Sequence, residues 1–268
     1  MTRVLSAVVL VAIVGGVLWF GPWWATLALA ALVAALAAGE VAGFSSAVGA
    51  PVPVLFVAVA AMAACAVVPI GMANGAAIVV VLLALVVGAG IVTMAGGPPS
   101  PAMITAAAVT VMAPLYVGLP MGALVWIDVV FGPRPVIFLI ATIAISDSTQ
   151  YFTGRAFGRR KLAPAISPAK TIEGAVGGLV AAAITGALLG PVWGQVVSPL
   201  EGIALGLMLC VIGITGDLFE SLLKRSAGVK DSSALIPGHG GVLDRIDAYL
   251  FAVPAYLLFL SYVGRYAA

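Results

Sequence analysis

The sequence predicts an all-α, polytopic integral membrane protein, because it is very apolar and its apolar residues come in long runs. Hydrophobic residues make up 63% of the 268 and charged residues only 8%, whereas an average soluble domain is about 25% charged. Such a chain cannot cover its surface with polar groups, so lipid must be its main solvent. The runs are unbroken rather than alternating, which excludes a transmembrane β-barrel. Soluble, disordered and nucleic-acid-binding classes are excluded by composition.

About nine segments are long and apolar enough to cross a bilayer, for which roughly 20 apolar residues are needed. Glycine and proline separate them, as at Gly21-Pro22 and Gly132-Pro133. The first two segments are nearly continuous, which predicts a tight helical hairpin and favours an uncleaved first span over a signal peptide. The predicted spans are about 4–20, 23–39, 52–69, 75–94, 101–119, 135–153, 174–194, 199–218 and 246–264.

One membrane domain is expected over residues 1–268, with N-terminal transmembrane helices over 1–145 and the catalytic loops and helix ends over 146–250. Lys and Arg concentrate in the loops after the sixth and eighth spans, and such loops normally face the cytoplasm. Both loops share a side with the N-terminus, because they follow even-numbered spans. We therefore expect a multi-pass protein of the inner or plasma membrane with cytoplasmic catalytic loops.

Small residues inside the spans are expected to serve packing. Cys65 and Cys210 lie in apolar runs and are interpreted as small buried hydrophobes without a disulfide. Gly186 and Gly190 have a spacing that lets helices approach closely in lipid. Packing within the chain explains that pair better than a dimer interface does.

The charged residues are gathered into two short windows. Of the 12 basic and 10 acidic residues, seven lie between Asp147 and Glu173 and nine between Asp217 and Asp247. A protein this apolar is expected to have its chemistry where its charges are. If the eighth span continues as a helix to residue 225, Asp217, Ser221 and Lys224 share one face.

Three aspartates of the second window predict a site for a divalent cation. Asp244 and Asp247 begin the ninth span on one face, and two helix ends at one membrane surface can bring them together with Asp217. Carboxylates so placed repel one another and lose hydration, which a cation offsets. Magnesium is the natural choice, because it takes oxygen ligands and bridges carboxylates to phosphates. Asp217 and Asp244 are the predicted ligands, with Asp247 beside them and a second cation left open.

Basic residues next to these acids predict contact with a polyphosphate. Acids for a metal and bases for phosphates, at a lipid surface, are typical of phosphoryl or nucleotidyl transfer. A simpler alternative stays open, in which Glu220 and Lys224 form an ordinary helical ion pair and the rest is a solvated loop. The candidate phosphate-binding residues are Lys170, Lys224, Arg225 and Lys230.

The single histidine, His239, lies within the run Pro237-Gly238-His239-Gly240-Gly241. The flanking glycines let the backbone approach a ligand closely. A substrate contact and a structural role both stay open for this residue, whereas a structural zinc site is excluded for want of ligands.

The segment from Ser221 to Asp247 resembles the signature of the phosphatidate cytidylyltransferases, also called CDP-diglyceride synthases. It reads SLLKRSAGVKDSSALIPGHGGVLDRID, with the Lys-Arg, Lys-Asp, His-Gly-Gly and Asp-Arg-x-Asp elements in register. The stretches 146–155 and 167–174 resemble the upstream region of that family. Two positions depart from its pattern: Gln150 stands where a small residue is usual, and Ala169 where a lysine is common.

The resemblance implies a magnesium-dependent nucleotidyltransferase of phospholipid biosynthesis that works as a homodimer. It would convert CTP and phosphatidic acid into CDP-diacylglycerol and pyrophosphate. Its predicted catalytic residues are Asp217, Asp244, Lys224 and Arg225. The predicted substrate-binding residues are Asp147, Lys170, Glu173, Ser221, Lys230, Asp231, His239 and Arg245.

Two other functions are weighed against this one. A secondary cation transporter could use intramembrane carboxylates, but transporters place their sites near the midplane, often between repeated halves. Here the acids cluster at one predicted surface and no repeat is visible. A related CTP-dependent lipid enzyme, such as a lipid-alcohol kinase or a CDP-archaeol synthase, is the second alternative, and the full His-Gly-Gly-x-x-Asp-Arg-x-Asp pattern disfavours the kinase.

The predicted topology can be tested with cysteines introduced near Arg160 and Ser233. Both sites should react with an impermeant maleimide only after the cells are permeabilised, because the positive charge of their loops places them in the cytoplasm. Labelling of either site in intact cells would reverse the orientation.

Overall fold

The computed structural model is built almost entirely of helices, which confirms the predicted all-α polytopic class. It describes residues 2–71, 75–194, 198–236 and 240–266, with the side chains of 2–8 and 263–266 left out. Each of the predicted spans falls on a helix of this part of the chain. The helices are α1 (Thr2–Phe20), α2 (Trp23–Ala47), α3 (Val54–Gly71), α4 (Gly75–Met94), α5 (Pro101–Ala113), α6 (Leu119–Phe131), α7 (Pro133–Phe157), α8 (Ile172–Trp193), α9 (Pro199–Ser226) and α10 (Leu243–Tyr266), and the strands are β1 (Lys161–Ala163) and β2 (Ser167–Thr171).

Seven helical segments in the described part of the chain are long and apolar enough to cross a membrane. They are α2, α3, α4, the run Pro101–Phe131, α7, α8 and α9. Large apolar side chains point outward, such as Leu55 at 79% exposure and Ile104 at 78%. A surface of this kind is stable only against lipid. The count of nine spans stays a prediction.

The run Pro101–Phe131 is one helical segment with an irregular turn in its middle. Residues Pro114–Gly118 form a π-helical turn between α5 and α6. Pro120, two residues after this turn, has no N–H to donate, and its ring would collide with the carbonyl of residue 116 in a regular α-helix. The π-helix is rare and occurs mostly as such single turns inside α-helices.

The chain divides into two compact units. Unit 1 comprises Met1–Val129 and Leu223–Ile246, and unit 2 comprises Val130–Leu222 and Asp247–Ala268. The predicted functional division into 1–145 and 146–250 stays a prediction.

Unit 1 is held together by helices that touch at backbone distance. The helix α3 packs along α2 and against the π-turn. A Cβ atom at Gly118 or Gly122 would collide with the carbonyl oxygen of Ala61 or Cys65 in α3, so only glycine permits this approach. The hydroxyl of Thr26 donates to Asp128 Oδ2 at 2.9 Å, which satisfies an acid at the end of α6.

Unit 2 uses the same kind of contact. The helix α7 packs along α8, and α8 meets α9 at Gly186, where a Cβ atom would collide with the carbonyl of Gly202. This confirms that Gly186 serves packing within the chain. Both cysteines are free and buried, as predicted, and Cys210 Sγ lies 3.0 Å from Ser146 Oγ.

The glycine contact predicts a selective effect of small substitutions. Gly186→Ala should lower the detergent melting temperature, because overpacking a close contact costs about 1–3 kcal/mol. Gly90→Ala is the matched control, since a Cβ atom there meets nothing within 4 Å. Equal melting temperatures for the two variants would contradict the close approach of α8 and α9.

Candidate active site

The first charged window folds as the end of α7, a β-hairpin and the start of α8. The strands pair antiparallel with Lys161 opposite Thr171, although no strand is predicted in this loop from sequence. Thr171 also caps α8, because its Oγ1 accepts from the backbone N–H of Gly174 at 3.1 Å. The hairpin thereby holds Lys170, the residue before the cap, on β2 rather than on a loose loop.

Lys170 meets carboxylates from two helices of unit 2. Its Nζ lies 2.5 Å from Asp217 Oδ2 of α9. Its charge also attracts Asp147 of α7, which Asp217 repels. Gln150 Nε2 donates to Asp147 Oδ1 at 3.0 Å, and Ser221 Oγ donates to Asp217 Oδ1 at 3.4 Å. Unit 2 thus pairs Asp217 with the Lys170 ammonium, with Asp147 within electrostatic range of both, and the predicted shared face of Asp217 and Ser221 is confirmed.

Asp247 lies where α10 approaches α9. A Cβ atom at Gly216 would lie 2.6 Å from the carbonyl oxygen of Asp247, so the two helices meet directly beside Asp217. The carboxylate Oδ1 of Asp247 accepts from the N–H of Ala248 at 2.8 Å. Tyr249 lies within electrostatic reach of both Asp147 and Asp247.

Asp244, on the first turn of α10 in unit 1, accepts hydrogen bonds on both of its oxygens. Lys224 Nζ lies 2.6 Å from Oδ1. Oδ2 receives the backbone N–H groups of Ser232 at 3.0 Å and Gly241 at 2.8 Å, and the Ser232 hydroxyl at 2.9 Å. Oδ2 is therefore surrounded by donors, and it shares the single proton of the Ser232 hydroxyl with Glu40. Lys224 therefore has an ionic partner on α10, besides the Glu220 pairing considered from sequence.

Glu40 of α2 is the residue that sequence reasoning missed. Its oxygens accept from the hydroxyls of Ser232 at 2.8 Å and Ser233 at 2.6 Å. They also accept from the backbone N–H groups of Val242 at 2.9 Å and Leu243 at 2.7 Å. Glu40 thus belongs to the same group as Asp244.

A signal for Glu40 was present in the sequence. It is the only charged residue between Arg3 and Asp128, inside a run otherwise fit to span the membrane. An ionisable residue at such a position is a functional candidate by default. The residues that resemble the family signature lie at the other end of the chain, between Ser221 and Asp247.

The remaining predicted residues are placed as follows. Glu173 accepts from the backbone N–H groups of Arg159 at 3.0 Å and Arg160 at 3.2 Å, so it fixes the turn before β1. Arg225 donates to the carbonyl of Val229 at 3.1 Å. His239 lies outside the described residues. The side chains of Lys230, Asp231 and Arg245 are exposed, and the substrate contacts predicted for all of these residues stay predictions.

The fit of a magnesium ion can be judged from the donor sets. Across the described ranges, no group of three or more His, Cys, Asp or Glu side chains is arranged to hold a metal. Asp147 and Asp217 nevertheless offer the oxygen donors that magnesium prefers. Both carboxylates attract the Lys170 ammonium, so their surroundings favour a positive charge at this place. The donors of unit 2 therefore fit the ion. Asp244 is already paired with Lys224 through Oδ1.

Comparison with known proteins decides the family. The model of the Cytidylyltransferase family matches residues 1–263. The chain belongs to this family. The resemblance seen in the signature segment is thereby confirmed.

Several curated relatives are similar over part of their length. The phosphatidate cytidylyltransferase of Pseudomonas aeruginosa is 52% identical over 120 residues, which are 44% of this chain and 44% of that protein. That of Haemophilus influenzae is 44% identical over 131 residues, 47% of this chain and 46% of its own. The uncharacterized protein YnbB of Escherichia coli is 40% identical over 134 residues, 49% of this chain and 44% of its own. The chain matches about half the length of these relatives.

The contacts of Asp244 predict that Asp244→Asn lowers the melting temperature in detergent. Side-chain exposures of 11% for Lys224 and 8% for Asp244 mark a largely buried pair, and removing one partner of such a pair costs about 3 kcal/mol or more. Adding Lys224→Gln should restore part of the loss. Asp231→Asn, which alters an exposed carboxylate in the loop that precedes α10, is the control. An unchanged melting temperature with lost activity would favour the metal-ligand role over the structural one.

Proposed function

We propose that this protein is a phosphatidate cytidylyltransferase, which joins CTP and phosphatidic acid to give CDP-diacylglycerol and pyrophosphate. The observation that carries the proposal is the family match over residues 1–263, in a chain whose family-like acids and lysines lie at the ends of apolar helices. The names of the relatives from Pseudomonas and Haemophilus support the same reaction. Family membership favours this function over the transporter.

The proposed reaction needs no covalent intermediate. A phosphate monoester has its second pKa near 6, so phosphatidic acid is largely a dianion at neutral pH and can attack the α-phosphorus of CTP directly. The protein has to hold two anions in line and offset the charge that develops on the pyrophosphate. Lys224, Arg225 and Lys230 are the proposed phosphate contacts. Asp231, Arg245 and His239 are the further proposed substrate contacts.

The proposed metal is magnesium, which would neutralise charge on the leaving pyrophosphate. Asp217 is the first proposed ligand, with Asp147 beside it, because these acids share a single lysine. Asp244 and Asp247 stay proposed ligands from the sequence. Lys170, once its carboxylate partner is neutralised by the ion, becomes available to a phosphate.

The setting of the reaction is also part of the proposal. We place the protein in the inner or plasma membrane as a multi-pass homodimer with its catalytic loops in the cytoplasm. The membrane setting suits both reactants, because CTP is a soluble anion and phosphatidic acid is anchored in the bilayer. Basic loops on the cytoplasmic side can attract both.

Purified protein in mixed micelles should release pyrophosphate only when CTP, phosphatidic acid and magnesium are all present. Asp217→Asn should reduce turnover by about a hundredfold or more, because metal ions supply several kcal/mol of transition-state stabilisation. Glu201→Gln, at the start of α9, should retain wild-type turnover. Release without the lipid, or equal turnover with diacylglycerol in its place, would refute the proposed reaction.

A further inference from the structure

Glu40 joins two parts of the chain that are far apart in sequence. Its four donors are separated from it by 192 to 203 residues. Two of them are serine hydroxyls in the segment between α9 and α10, which the structure describes over residues 227–236 and 240–242 and which is named the signature loop. The other two are the backbone N–H groups of Val242, the last residue of this segment, and of Leu243, the first residue of α10. One carboxylate of α2 thus binds the signature loop on both sides of residues 237–239.

The hydrogen bonds from Val242 and Leu243 to Glu40 have the geometry of an anion-binding site at a helix N-terminus. The first N–H groups of a helix have no partner within the helix, and they favour a negative charge. Glu40 is only 8% exposed, and a buried carboxylate is stable only when its oxygens receive donors. The carboxylate and the helix start satisfy each other.

The fit around Glu40 is tight on one side and open on the other. A Cβ atom at Gly241 would collide with Ser232 Oγ and would lie 2.5 Å from both carboxylate oxygens of Glu40. An open groove of about 400 Å³ is lined by Glu40 and by both serines, together with Gly39, Gly43 and Leu235. The hydrogen bonds between Glu40 and the two serines therefore lie at the wall of this groove.

Ser232 links Glu40 to Asp244. Its hydroxyl oxygen lies 2.8 Å from Glu40 Oε2 and 2.9 Å from Asp244 Oδ2. A hydroxyl carries one proton, so the two carboxylates compete for it. A change at Glu40 is thereby passed to Asp244, and through Asp244 to Lys224 at 2.6 Å.

We propose that Glu40 is a positioning residue of the reaction. It holds the signature loop and the start of α10 in the arrangement that the phosphate-binding residues require. The inference rests on the proposed cytidylyltransferase function. Both oxygens of Glu40 are engaged by Ser232, Ser233 and the backbone N–H groups at the start of α10, and it acts through these contacts.

The test compares Glu40→Gln with Glu40→Asp, using Glu201→Gln as a matched control. Glu201 is also an acid at a helix start, where it accepts from the N–H of Ser198 at 3.3 Å. In Glu40→Gln an NH2 group replaces one of the carboxylate oxygens. It then faces the backbone N–H of Val242 or of Leu243, so one of these hydrogen bonds is lost. We expect kcat/KM for CTP to fall by about tenfold to a hundredfold, as for a misplaced reactant, with amide exchange raised over residues 230–243. Glu40→Asp should recover part of both, and Glu201→Gln should change neither.

A milder variant keeps the proposal testable if Glu40→Gln does not fold. Ser233→Ala removes one donor to Glu40 and should raise exchange over 230–243 while lowering kcat/KM by less than Glu40→Gln does. Combined with Glu40→Gln, Ser233→Ala should add no further loss, because the contact it removes is already broken. Additive losses would contradict the direct contact.

Two outcomes separate this inference from the proposed reaction. Wild-type kcat/KM and unchanged exchange in Glu40→Gln, or in Ser233→Ala where Glu40→Gln does not fold, would overturn the positioning role while leaving the reaction intact. A fall in activity that only follows the loss of folded protein, with unchanged exchange over 230–243, would overturn it as well. A wild-type protein without pyrophosphate release would refute the reaction, and with it the catalytic part of the role, whereas the exchange data would still decide whether Glu40 holds the loop.

Discussion

A carboxylate inside an apolar protein has to be met by a cation or by hydrogen-bond donors, and this requirement shapes both groups of charged residues. An unpaired ion away from water costs several kcal/mol even after the surroundings relax. The 12 basic residues outnumber the 10 acidic ones, but none of them lies between Arg3 and Asp128. In unit 2, Lys170 serves Asp217 directly and Asp147 by attraction. In unit 1, Lys224 and backbone N–H groups serve Asp244.

Glu40 has no basic residue in its own part of the sequence, and it is met by backbone donors at the start of α10 instead. The backbone N–H groups of Gly241, Val242 and Leu243 donate to two carboxylates. The first N–H groups of a helix have no partner within the helix, and a buried carboxylate needs hydrogen-bond donors. A hydrogen bond between them satisfies both groups. An acid can therefore lie in the middle of α2 without a basic residue next to it. The same bonds tie the N-terminal half of the chain to the segment that carries the family signature.

Glycine determines where the acids of unit 2 stand. In lipid, helices are held by close packing and not by the hydrophobic effect, and small residues let backbones touch. Gly216, the residue before Asp217, brings α9 against the backbone of α10 at Asp247. A site residue next to such a contact sits on a rigid part of the fold. The proposed reaction would need such precision, because it has to hold two reactants in line.

Local patterns in the sequence were sufficient for the helices and for some of the site. Long apolar runs broken by glycine and proline predicted the spans, because crossing a bilayer depends on the length and hydropathy of one segment. The shared face of Asp217 and Ser221 followed from helical periodicity. The partners of Lys224 and Glu40 could not be predicted in this way. Asp244 and the donors of Glu40 come from other segments, up to 203 residues away, and which donor meets a buried acid depends on how the helices pack, which no local pattern contains.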